Sequence, residues 1–99
     1  MESQPAYIIP RADVLHTIRD LKTANQKVYL VGGAVRDMLL GRVSHDLDFV
    51  ASGNIRQLAR TAADRLGGAF YMLDDQRQVA RVIWRDAENS ELFLDFSAL

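Results

Sequence analysis

Two carboxylates, Asp46 and Asp48, stand two residues apart in the segment SHDLDFVA. Leu47, Phe49 and Val50 suit a strand, and on a strand alternate side chains share a face. Asp46 and Asp48 then point one way, with Leu47 and Phe49 on the other face. Two ionised carboxylates side by side repel, and one pKa rises unless a cation lies between them. A hard divalent cation answers this: it takes oxygen ligands and keeps waters that a substrate phosphate can replace. Metal-assisted phosphoryl transfer needs that arrangement. An isolated Asp-x-Asp is common, however. Its ordinary reading is one Asp capping a turn and the other on a solvated sheet face, so the pair has to be weighed with its neighbours.

Upstream, Gly32 and Gly33 separate the apolar run VYLV from the helix-like run AVRDMLLG. Glycine lets backbone approach a ligand closely, and a helix start offers N–H groups to phosphate. Arg36, in the first helical turn, could fork onto a triphosphate oxygen. The ordinary alternatives are a tight turn for the glycines and an ion pair with Asp37 for Arg36. A dinucleotide-binding fingerprint fits poorly. The glycines are adjacent, Asp37 stands where a third small residue is wanted, and no acid ends the next strand. Asp95, in LFLDFSA, is a third acid between apolar residues on a strand. If that strand neighbours the Asp46–Asp48 strand, Asp95 reaches the same site. It would accept the proton of an attacking hydroxyl or hold a second metal. Its alternative is a polar residue on an edge strand.

The elements that must position these groups are legible from periodicity. Residues 1 to 10 read as an extended lead-in broken by Pro5 and Pro10. Val14, Leu15, Ile18 and Leu21 have helical spacing, with Asn25 as a stop. The strand VYLVG precedes a short helix whose expected apolar face is Val35, Met38 and Leu39, closed by Gly41. The strand DLDFVA follows. A helix, IRQLARTAADRLG, places Ile55, Leu58, Ala59, Ala62 and Leu66 on one face. AFYMLD, QVARVIW and ELFLDFSA form three further strands, joined by turns at DDQ and RDAENS. The order is helix, strand, helix, strand, helix, then a meander. It specifies an α/β class: a small mixed sheet packed with helices.

Composition bounds the rest. The chain has 99 residues, a formal net charge of −1 and no cysteine. That length is one domain with a modest core. Near-neutrality gives no general pull toward nucleic acid or membrane, and the missing cysteine removes disulfides and thiolate metal sites. There is no apolar run of membrane-spanning length and no signal-peptide pattern, so no membrane association and a cytoplasmic location are expected. The chain stops within a strand-like run, as expected of a fragment of a longer protein. His45 is expected in a loop and His16 on a packed or exposed helix face. Phe70, Tyr71 and Trp84 are expected in the core or on the sheet surface rather than stacking on bases. Arg56, Arg60 and Arg65 are expected to pair with Asp64 or be solvated.

Taken together, LVGGAVRDMLLGR followed by HDLDFV resembles the head domain of the class II tRNA nucleotidyltransferases and bacterial poly(A) polymerases. These belong to the polymerase-β-like nucleotidyltransferase superfamily. Gly32, Gly33, Val35, Arg36, Asp37, Leu40, Gly41, Arg42, Asp46 and Asp48 carry the match in the family's order and spacing. It is close over residues 28 to 50 and looser from there to the end of the chain. The resemblance implies transfer of CMP or AMP from CTP or ATP to a tRNA 3′ end, with release of pyrophosphate. Poly(A) addition is the alternative task; a non-catalytic nucleotide-binding or assembly domain is the alternative of another class. It implies nucleotide binding at Gly32, Gly33 and Arg36, with Gly33 and Arg36 on the triphosphate, and magnesium on Asp46 and Asp48. It implies a catalytic role at Asp95, a position the family uses less uniformly, and a role for Asp37 in the local fold. No role passes to Arg42 or Ser44. The family's neck domain, which reads the base, and its tRNA-gripping body and tail have no counterpart in the 99 residues. The whole chain is therefore expected to be a head domain truncated before them.

Overall fold

A computed structural model describes residues 12–42 and 44–99. The expected lead-in over residues 1 to 10 lies outside the described residues. The described residues form three helices and five strands in the order α1 (Ala12–Leu21), β1 (Val28–Val31), α2 (Gly33–Leu39), β2 (Asp46–Ala51), α3 (Ile55–Leu66), β3 (Ala69–Asp74), β4 (Val79–Arg85) and β5 (Glu91–Ala98). The strands form one mixed sheet in the order β1-β2-β5-β4-β3. The expected α/β class, element order and meander are all present. Periodicity does not reveal that β5 comes to the centre, where it pairs parallel to β2 and antiparallel to β4. A parallel neighbour requires a long crossover; here it is α3 followed by the β3–β4 hairpin.

Alternation makes the sheet two-faced. Leu47, Phe49 and Ala51 of β2, Ala80 and Val82 of β4, and Leu92, Leu94 and Phe96 of β5 are all buried on one side. Phe49 and Phe96 stack there, with ring centroids 5.1 Å apart. α3 covers this face with Ile55, Leu58, Ala59, Ala62 and Ala63, and α1 packs on α3 through Val14 and Ile18. The alanines keep α3 close to the sheet. Asn54 caps it, its side chain accepting the Gln57 N–H at 2.9 Å. Gly67 ends it in the left-handed conformation.

Two expectations change. The short helix α2 buries Ala34, not an apolar face of Val35, Met38 and Leu39; Val35 is exposed and Leu39 is 82% exposed. With seven residues packed mainly on β1 and β2, α2 seats one small side chain. The α3 arginines do not use Asp64 in any ion pair among the described residues. Arg56 pairs with Asp75 at 2.9 Å and the Arg60 guanidinium lies over Phe70, 4.8 Å from its centroid. The β3–β4 hairpin simply lies within their reach. Phe70 and Trp84 pack against the core as expected, and Tyr71 is half exposed on the sheet surface. His16 and His45 are exposed.

Candidate active site

The open face of the sheet carries one cross-strand row. Val31 pairs with Asp48, Asp48 with Asp95, Asp95 with Arg81, and Arg81 with Tyr71, so the row crosses all five strands. Asp46 lies beside it, paired with Phe93. The fold therefore places Asp46, Asp48 and Asp95 together, because β5 is the neighbour of β2. Backbone detail fixes the start of β2. The Phe93 N–H donates to the His45 carbonyl at 2.9 Å, and the buried Ser44 hydroxyl donates to the Asp46 carbonyl at 2.7 Å.

The glycine turn reaches the same place. Gly32 has φ +78°, and a Cβ there would lie 3.4 Å from Asp48 Oδ2. A side chain would be strained by that φ and would stand in contact with the carboxylate, so glycine leaves the approach to Asp48 open. A Cβ on Gly33 would lie 3.5 Å from Arg36 Nη2, which puts the guanidinium beside the turn. Arg36 contacts Asp37 only loosely, at 3.8 Å, with 71% of its side chain exposed. It is available to an anion. Asp37 also supports the local chain, its carbonyl accepting the Arg42 N–H at 2.7 Å.

Charge along the row is unevenly met. Burial, then Asp95, then Asp46 push the Asp48 pKa above its ordinary 3.8, and Arg81 pulls it down. Asp95 is held: Arg81 Nε donates to Oδ1 at 2.8 Å and Nη2 to Oδ2 at 3.0 Å. That bidentate bond holds Arg81 above its ordinary pKa. Asp95 is thus near the acidic pair, as the sequence suggested, but its carboxylate is tied to a cation. Among the described residues no cluster of three or more His, Cys, Asp or Glu is arranged to hold a metal. The candidate donor set is the pair Asp46 and Asp48. Two carboxylates on one face, one of them resisting ionisation through burial and its acidic neighbours, suit a hard divalent ion.

Sequence reasoning missed Arg81. The signal was there in kind: an arginine between Ala80 and Val82, both buried, is as anomalous on a strand as Asp95 between Leu94 and Phe96. Only the register of β4 against β5 shows that the two face each other.

Comparison with known proteins gives the following. The profile of the poly A polymerase head domain matches residues 28–97. A CC-adding tRNA nucleotidyltransferase of Geobacter sulfurreducens is 47% identical over 55 residues, which is 56% of this chain and 13% of that protein. An A-adding tRNA nucleotidyltransferase of Aquifex aeolicus is 51% identical over 41 residues, 41% of this chain and 5% of that protein. A solved structure of a CCA-adding enzyme with CTP superposes with a TM-score of 0.70 at 30% identity, covering 91% of this chain and 21% of that one. The chain thus spans about an eighth of the Geobacter relative's length.

Proposed function

Because the chain belongs to the poly A polymerase head domain family, we propose that it is the metal-dependent, nucleotidyl-transferring head of an enzyme that adds CMP or AMP to a tRNA 3′ end. The supporting observation is the Asp46–Asp48 pair on the open sheet face, with the Gly32 backbone against Asp48. CTP and ATP are the proposed nucleotide substrates, and the cytoplasm is where the reaction would take place. The relatives' names favour tRNA: both describe addition to tRNA rather than poly(A) synthesis.

Asp46 and Asp48 would hold magnesium. When bound, magnesium neutralises phosphate charge and helps activate the attacking 3′ hydroxyl. The chain's own residues do the positioning. Gly32 and Gly33 let the triphosphate lie against the backbone next to Asp48. Arg36, lying beside Gly33, forks onto its oxygens. The 3′ hydroxyl attacks the α-phosphate and pyrophosphate leaves; orientation and charge stabilisation carry such a reaction. Asp95 borders the site with both carboxylate oxygens tied to Arg81, which suits it to shaping the field better than to accepting a proton. In this reading the chain is the catalytic head, and base choice and RNA grip are supplied by other segments.

The test is incubation of the protein, within its full-length enzyme, with tRNA lacking its 3′ CCA and with labelled CTP or ATP. Labelled tRNA supports the reading. Asp46→Ala and Asp48→Ala should each reduce transfer by at least about a thousandfold, the scale on which an essential electrostatic group acts. Near wild-type turnover in either would rule out the two-acid metal site. Extension of unrelated RNA with long adenylate tracts would favour poly(A) addition instead.

A further inference from the structure

We infer that Arg81 is a positioning residue which, through Asp95, sets the charge that the acidic row presents to a divalent cation. The inference rests on the metal site proposed above. Arg81 faces Asp95 directly across β4 and β5 and engages both carboxylate oxygens, at 2.8 and 3.0 Å. Its guanidinium also lies over Phe93, 5.1 Å from the ring centroid. Phe93 is the register partner of Asp46. The cation is therefore fixed from two sides: a fork that matches carboxylate geometry and a ring face that attracts positive charge. Its neighbours Ala80 and Val82 are fully buried, which locks the strand beneath it.

The consequence is a matter of charge. Asp46, Asp48 and Asp95 carry three negative charges, and Arg81 carries one positive charge that stays on at all accessible pH. The row presents a net of two negative charges, which one divalent cation neutralises. With the fork in place Asp95 is turned to Arg81, and the pair Asp46–Asp48 is left as the donor set. Without it, Asp95 becomes a third free carboxylate beside Asp48, and the row carries three negative charges. Arg81 therefore weakens and focuses cation binding, leaving room for a ligand that brings its own negative oxygens.

The test is a double-substitution cycle read by Mn2+ binding to the protein, with Mn2+ alone as probe and electron paramagnetic resonance as readout. Arg81→Met keeps a side chain over Phe93 and removes the charge, and Mn2+ should bind about tenfold more tightly, the effect of one more unit charge at short range in a solvent-screened site. Asp95→Asn should weaken binding by a similar factor. The double variant, again with two net negative charges, should return to within about threefold of wild type, because the charge lost with Asp95 offsets the charge lost with Arg81. Arg81→Gln, which can still bond Asp95, should tighten binding as Arg81→Met does and covers the case where Arg81→Met does not fold. An Arg81 that only supports the strand would weaken binding when replaced, so the sign of the change separates the two roles. Wild-type binding that Arg81→Met and Arg81→Gln leave unchanged or weaken overturns this inference alone. Absence of Mn2+ binding in wild type and variants alike overturns the metal reading and this inference with it.

Discussion

At Asp48, three influences oppose ionisation and one favours it: burial, Asp95 and Asp46 against, Arg81 for. The folded-state pKa lies above the ordinary 3.8, so the native protein holds this proton to higher pH than the unfolded chain does. At neutral pH both states are ionised and the native state carries an electrostatic penalty. As pH falls through the folded pKa toward 3.8 the penalty is relieved. Asp48→Asn should therefore raise the melting temperature of the metal-free protein at pH 7. The gain should shrink as pH falls through that window, and calorimetry at several pH values checks it. Discounted for solvent screening, the gain is under about 1 kcal/mol, worth no more than about 4–8 °C. Arg36 supports a second prediction. Arg36→Lys keeps the charge and loses the fork, so CTP and ATP affinity should fall together, by about fivefold or more. Isothermal titration with both nucleotides checks this. Loss confined to one base would contradict a triphosphate contact, which cannot sense the base.

At the scale of elements, the sequence located the helices and strands because each announces itself locally. Asn54 and Gly67 bracket α3, and Leu47 and Phe49 alternate with Asp46 and Asp48. Asp46, Asp48, Gly32 and Arg36 were legible for the same reason: they lie in one short run, and a turn plus a period of two brings them together. Arg81 was not. Its meaning depends on β4 pairing with β5 in one register, and pairings between strands are set by the packed sheet rather than by neighbours in sequence. The buried side of α2 was misread because a seven-residue helix on two strands buries by geometry and not by hydrophobic count. The end of α3 gives a paired prediction. Gly67 has φ +77° with nothing within 4 Å of a Cβ, so Gly67→Ala should cost only the backbone strain, about 1 kcal/mol. At Gly68 a Cβ would lie 2.8 Å from the Ile83 carbonyl oxygen and 3.2 Å from Val82 Cγ1. That oxygen belongs to β4, which is paired on both sides, and cannot yield. Gly68→Ala should cost about 2 kcal/mol or more, and thermal melts of the two variants should rank in that order.

At the scale of the whole molecule, the two faces of the sheet divide the work, and the division predicts how the chain treats nucleotides. A cavity of about 250 Å³, floored by Leu15, Ile18, Val28, Leu30 and Phe49, lies on the helix side, apart from the proposed nucleotide site. The acidic row lies on the opposite face. α2 adjoins that row at its β1–β2 end, whereas Asp95, Arg81 and Tyr71 remain partly or half exposed. Groups suited to phosphate and metal are all present there: Gly32, Gly33, Arg36, Asp46 and Asp48. Base discrimination needs donors and acceptors fixed opposite a base edge and shielded from water, and an open sheet face shields poorly. RNA affinity needs clustered positive charge, and the net charge is −1. Residues 1–99 should therefore bind CTP, ATP, UTP and GTP with magnesium to within about threefold of one another, since a base left in water adds little to the difference. Titration by NMR should show matching shifts at Gly32, Gly33 and Arg36 for all four nucleotides, abolished by Asp46→Ala. Selection of one nucleotide by more than about tenfold would mean that base reading is built into this sheet, and would overturn the division of labour between its two faces and the rest of the enzyme.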